Sequence, residues 1–179
     1  MTHLIWSCEC GQVEAEVPSK GNRIICYCDS CRTYVEKLGK GDRLVHPGSG
    51  NELFQTSPQG VRFKQGTERL RYMRLTEKGP LRWYASCCNT PVANTLSTRT
   101  LPFASFQVHD FEDKSKLPPV RAHVNLSGAT AHVPKPHGSF YPLVFDILKG
   151  AAKAYLTGRV RQNPFFDASG QPVGARQDL

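Results

Sequence analysis

The chain has 179 residues, 39% hydrophobic and 21% charged, a composition that suits one globular domain with a core plus an extension. No apolar run approaches the roughly 20 residues of a membrane span, and the N-terminus lacks the basic-then-apolar pattern of a signal peptide, so the expectation is a cytoplasmic protein without a membrane partner. The formal net charge of +8 is evenly divided, with 14 basic against 10 acidic residues in 1–110 and 9 against 5 in 111–179; no basic tail marks nucleic acid as the partner.

Residues 12–17 alternate polar and apolar, as a half-buried strand does. A second strand over 22–27 delivers Cys26 and Cys28 at its end. A short helix follows through residues 33–38 to Gly39, capped by Asp29 or Ser30, which puts Cys31 in a first turn that favours a thiolate. Residues 69–75 and 81–85 flank a Thr-Glu-Lys-Gly-Pro turn and form a hairpin whose exit carries Cys87 and Cys88. Further strands are expected over 104–108 and 120–126, in an antiparallel fold. Arg62, Lys64, Arg69, Arg71, Arg74, Lys78 and Arg82 form the densest basic stretch, either a solvated strand face or a surface for an anion.

Beyond about residue 111 the pattern changes. Leu143, Ile147, Ala151 and Tyr155 recur every fourth residue beside Val144, Leu148, Ala152 and Leu156, an amphipathic helix over about 140–157. Ser139 caps it and Gly158 stops it. The stripe packs on the β domain or makes a homodimer contact. After Gln162 the chain reads as an arm over the surface or as a partly disordered segment.

All seven cysteines fall in three clusters: Cys8 and Cys10 before a glycine, the trio Cys26, Cys28 and Cys31, and the pair Cys87 and Cys88. In a reducing compartment such clustering points to metal rather than disulfides. Four thiolates close a zinc tetrahedron, and three leave a second zinc with an open position. Sulfur-rich sites also accept iron. The histidines form no ligand pattern, although His3 and His46 lie near the thiol loops in sequence. No phosphate loop, dinucleotide fingerprint or nucleophile elbow is present.

Cys-X-Cys-Gly at 8–11, Cys-X-Cys-X-X-Cys-Arg at 26–32 and Cys-X-Thr-Pro at 88–91 together resemble the glutathione-dependent formaldehyde-activating enzyme family, grouped with centromere protein V, over residues 3–110. The resemblance implies a mainly β fold, a β-tent of small antiparallel sheets, here followed by the C-terminal helical extension of 111–179. It implies a structural zinc on Cys8, Cys10 and Cys88, and a second, labile zinc on a catalytic trio, Cys26, Cys28 and Cys31. The implied activity is that of a carbon–sulfur lyase acting on a thiol–aldehyde adduct such as S-hydroxymethylglutathione, with glutathione as the partner thiol.

Three departures stand out. Ala85 occupies the place of the family's first late cysteine, so Cys87 completes the first site, faces the second metal, or stays free. Both neighbours reach one metal only if the chain turns between them, which Asn89 permits. Tyr27 stands where the family often has histidine. The extension has no counterpart in compact members. The rival expectation is a non-catalytic zinc module for protein interaction or homodimerisation.

Overall fold

The computed structural model describes residues 2–178. It is mainly β, with small antiparallel sheets and a C-terminal helix. β1 (His3–Ser7) and β2 (Glu14–Pro18) pair antiparallel, and β5 (Arg62–Gln65) joins the free side of β2. In β1 and β2 the inward residues Leu4, Trp6, Ala15 and Val17 alternate with half-buried ones, the period of two that a sheet with one wet face requires.

The larger sheet has eight strands. Its order is β10 (Val120–Val124), β3 (Asn22–Cys26), β4 (Asn51–Thr56), β9 (Ala104–Gln107), β8 (Thr90–Thr95), β7 (Leu81–Ala85), β6 (Leu70–Met73) and β11 (Ala175–Arg176). Pairing is antiparallel throughout the middle. It is parallel at both edges, β10 on β3 and β11 on β6, where the expectation was antiparallel. The expected hairpin of β6 and β7 is present. The strands β7, β8 and β9 are buried along their whole length, so they read as runs rather than alternations. Pro91 sits beside a register shift between Trp83 and Tyr84, where its missing N–H is tolerated.

Trp6, Phe54, Trp83, Phe106, Phe111 and Phe165 form the centre of the core between the sheets, and an isolated bridge from Trp6 to Phe111 stitches them together. The late segment enters this core directly. β10 extends the large sheet, and Phe165, fully buried, lies 5.1 Å from the Trp83 ring. The chain beyond 162 is therefore an arm anchored in the core, not one merely laid over the surface.

α1 (Asp29–Lys37) begins at Cys28, which takes the capping position that sequence assigned to Asp29 or Ser30; no side chain caps it. α2 (Phe140–Leu156) follows Ser139, whose hydroxyl makes no cap bond, and ends before Gly158, which adopts a left-handed φ of 67°. α2 buries Leu143, Ala151 and Ala154 and leaves Tyr141, Phe145, Leu148 and Leu156 exposed.

Candidate metal centres

The cysteines gather into two groups, Cys8, Cys10, Cys87 and Cys88 in one and Cys26, Cys28 and Cys31 in the other. Within each group all sulfurs lie within 4.8 Å of one another. A tetrahedron with Zn–S bonds of roughly 2.3 Å has edges of roughly 3.8 Å. In the first group Cys8–Cys10 is 3.7 Å, Cys8–Cys87 3.9 Å, Cys87–Cys88 3.7 Å and Cys10–Cys87 3.3 Å. Those spacings fit a four-sulfur cage.

Local chain geometry explains how they meet. Gly11 at φ 72° turns the chain behind Cys8 and Cys10, with Gly11 N donating to Cys8 O at 2.8 Å. The backbone N–H of Val13 donates to Cys8 Sγ at 3.2 Å. Cys87 and Cys88 occupy the turn between β7 and β8, closed by Cys88 N donating to Ala85 O at 3.3 Å and by Asn89 at φ 54°. That turn lets adjacent residues face one point, and it places Cys87 in the first group and not the second. Thr90 Oγ1 lies 3.0 Å from Cys88 Sγ and accepts Glu9 N at 3.2 Å.

The second group comes from one short stretch. Cys26 ends β3, Cys28 opens α1 and Cys31 lies in its first turn. Cys26 and Cys28 are 3.4 Å apart. Cys26 and Cys31 are buried, and Cys28 is partly exposed, so access is from the Cys28 side. Tyr27, between them, points the other way into a pocket with Ile25 and Val133 and stacks on His123 at 6.2 Å. It is a core residue. His46 pairs with Glu52 at 3.1 Å, and neither His46 nor His3 belongs to a sulfur group.

Residues outside the cysteine motifs buttress the trio. Asn125, at φ 57°, donates Nδ2 to Cys26 Sγ at 3.3 Å. Gly128 packs so tightly that a Cβ there would meet Tyr27 O at 2.4 Å. Its carbonyl accepts Arg32 Nη1 at 3.0 Å. Leu143 of α2 shares an apolar cluster with Ile24, Cys26, Cys31 and Leu53. Arg82 departs from the basic stretch: Arg62, Lys64 and Arg69 are exposed, but Arg82 is buried and its Nη1 lies 3.9 Å from Cys31 Sγ. The basic stretch is not one surface beside the trio; only Arg82 reaches it.

The thiols of each group perturb one another strongly, and both groups could hold a cation. In the trio, hydrogen bonding from Cys26 and then Cys31 holds the Cys28 thiol far below its usual range. Cys26 is pushed up, first by its contact with Cys28, and Cys31 is pushed well up by Cys26 and Cys28. In the first group burial raises Cys8 and Cys87. Burial also opposes ionisation of Cys88, but hydrogen bonds from Thr90 and Cys10 outweigh it and bring that thiol to about 7. Sulfurs this close cannot all be anionic unless a positive ion sits among them.

Glu9, between Cys8 and Cys10, ties the first group to the interior. It pairs with Lys40 and with the buried Arg43, which also pairs with the buried Asp110. Two surface depressions, one lined by His3, Ile5 and Lys116 and the other by Lys37, Met73 and Asp178, contain no cysteine. Among the described residues no helix is long and apolar enough to cross a membrane.

A family model described as a family of unknown function (DUF6151) matches residues 1–176. The chain belongs to that family. No curated protein matches it. Among the solved structures that do is the crystal structure of a Rhodobacter sphaeroides protein, a structural genomics target, with 18% identity and a TM-score of 0.46; the alignment covers 65% of this chain and 92% of the other.

Proposed function

We propose that this DUF6151 protein binds two zinc ions, a closed structural one on Cys8, Cys10, Cys87 and Cys88 and an open, labile one on Cys26, Cys28 and Cys31, and that the open centre acts as a carbon–sulfur lyase on a thiol–aldehyde adduct such as S-hydroxymethylglutathione. The observation that carries this reading is the partition of all seven cysteines into one group of four and one of three at cage spacing. Sulfur donors suit zinc, and a three-ligand site leaves a position for an exogenous ligand. Zinc bound there would supply Lewis acidity that favours the thiolate form of an incoming thiol.

The chain's own residues supply the rest. Asn125 donates to Cys26, and the first turn of α1 fixes Cys28 and Cys31. Cys28, the partly exposed member, marks the side from which a thiol enters. In the condensing direction the thiol sulfur bonds to the aldehyde carbon, the carbonyl π pair moves to oxygen, and the thiol proton ends on that oxygen. The lyase direction breaks the same C–S bond and restores the aldehyde and the thiol. Cys28→Ser should abolish consumption of the adduct while leaving the fold intact. A wild-type protein inert toward the adduct, or a Cys28→Ser variant with full turnover, contradicts the assignment.

The exposed face of α2 supports a second reading, a non-catalytic zinc module for protein contact or homodimerisation. Tyr141 and Leu156 are 84% and 89% exposed, with Phe145 and Leu148 between them. On that reading Leu148→Glu with Leu156→Glu lowers the mass seen in sedimentation, and the adduct is not consumed.

A further inference from the structure

Arg82 is 3% exposed, and a guanidinium stays protonated even when buried. Such a charge needs a partner. Among the described residues no carboxylate pairs with it. Nη1 donates to Asn94 Oδ1 at 3.1 Å, Nη2 donates to Ser30 Oγ at 2.9 Å, and Nε has no hydrogen-bond partner. The Tyr34 ring lies 5.4 Å from Cζ. All of these neighbours are neutral. The remaining contact is the sulfur of Cys31 at 3.9 Å, so the group placed to balance Arg82 is the trio, once its thiols ionise around a metal.

Charge counting gives this placement a use. Three thiolates around a divalent ion carry a net charge of −1, and a fourth thiolate makes it −2. Beside the buried Cys26 and Cys31 that second negative charge is costly, because the surroundings screen it less than water does. One fixed cation beside the trio brings these totals to 0 and −1. We infer that Arg82 lets the second centre accept an anionic fourth ligand, a small-molecule thiolate, in preference to a neutral one. This rests on the proposed open centre and adds to it a residue that selects the ligand's charge.

The test uses the full chain loaded with cobalt(II), whose absorption bands report the ligand set of the second centre. Glutathione is titrated as the anionic probe and imidazole as the neutral one. Wild type should show a glutathione-dependent change. In Arg82→Gln the glutathione concentration needed should rise about tenfold or more, as loss of a charged contact implies, with imidazole affinity little changed. Asn94→Asp offers a second route should Arg82→Gln fail to fold. It keeps the arginine and places a carboxylate against it, so glutathione should weaken in the same selective way. Unchanged glutathione affinity in the folded variants overturns the inference, and so does equal weakening of glutathione and imidazole, which marks a merely structural role. No spectral response to glutathione in wild type overturns the open-centre reading itself, and the inference with it.

Discussion

The two cysteine groups are built from the same atoms but span the chain very differently. The group of four joins a loop after β1 to the turn between β7 and β8, nearly eighty residues later, and so clamps the small sheet to the large one. The group of three lies within six residues, on a strand end and one helical turn. Closing a long loop removes much conformational freedom from the unfolded chain, whereas closing a six-residue loop removes little. The first group should therefore govern folding and the second should be separable from it. That difference also says where chemistry can sit: an incomplete, local site can exchange ligands without unfolding its host.

The largest effect should follow from cutting the clamp. Cys8→Ser or Cys88→Ser should remove much of the ~10–16 kcal/mol that a structural zinc contributes to folding and leave no cooperative thermal transition by circular dichroism, while Cys28→Ser keeps one. A Cys8→Ser variant as stable as Cys28→Ser would erase the distinction between the groups.

Next in size is the buried Arg43–Asp110 pair behind the Cys8–Cys10 loop. Burial raises the Asp110 carboxyl, and Arg43 opposes that rise. Asp110→Ala leaves the Arg43 guanidinium, 6% exposed, with Glu9 as its one remaining carboxylate partner and should cost about 3 kcal/mol in urea unfolding. Loss of the first metal should accompany it, with the second unaffected.

Leu143→Ala sharpens the comparison from the other side. Leu143 is 1% exposed and packs on Cys26 and Cys31. The change should cost about 2–5 kcal/mol and weaken metal binding at the trio more than at the group of four.

The smallest effect concerns Glu52, which pairs with Arg23 and His46 beside β3. Burial opposes its ionisation, but His46 and Arg23 outweigh it and hold the carboxyl below its usual range. A depressed carboxylate adds stability above its unfolded value and loses it as pH falls through the folded one. Glu52→Gln should thus cost about 1 kcal/mol or less near neutral pH and nothing once acid has protonated the wild-type carboxyl.

The sulfur groups were legible in sequence because cysteine spacing is a local signal that survives without knowledge of the fold. Cys87 was expected in the first site with two alternatives open, since its direction depends on a turn that Asn89 permits but does not impose, and the structure groups it there. The strands β7 and β6 showed themselves through their turn, but β8 did not: Pro91 argues against a strand, and its burial on both faces removes any alternation. Arg82 was hidden among six other cations, and only the three-dimensional path of β7 separates it from them. Asn125 and Gly128 lie about a hundred residues from the trio they support, and no pattern along the chain announces that contact. The parallel pairing of β10 with β3, which carries Asn125 there, is a long-range choice set by packing.

Metal content measured by native mass spectrometry, before and after a mild chelator, tests the central claim most directly. Wild type should carry two zinc ions and Cys28→Ser one, with the chelator stripping wild type to the same single ion while the fold persists. One ion in both proteins, or two that leave together as the chain unfolds, would contradict the account.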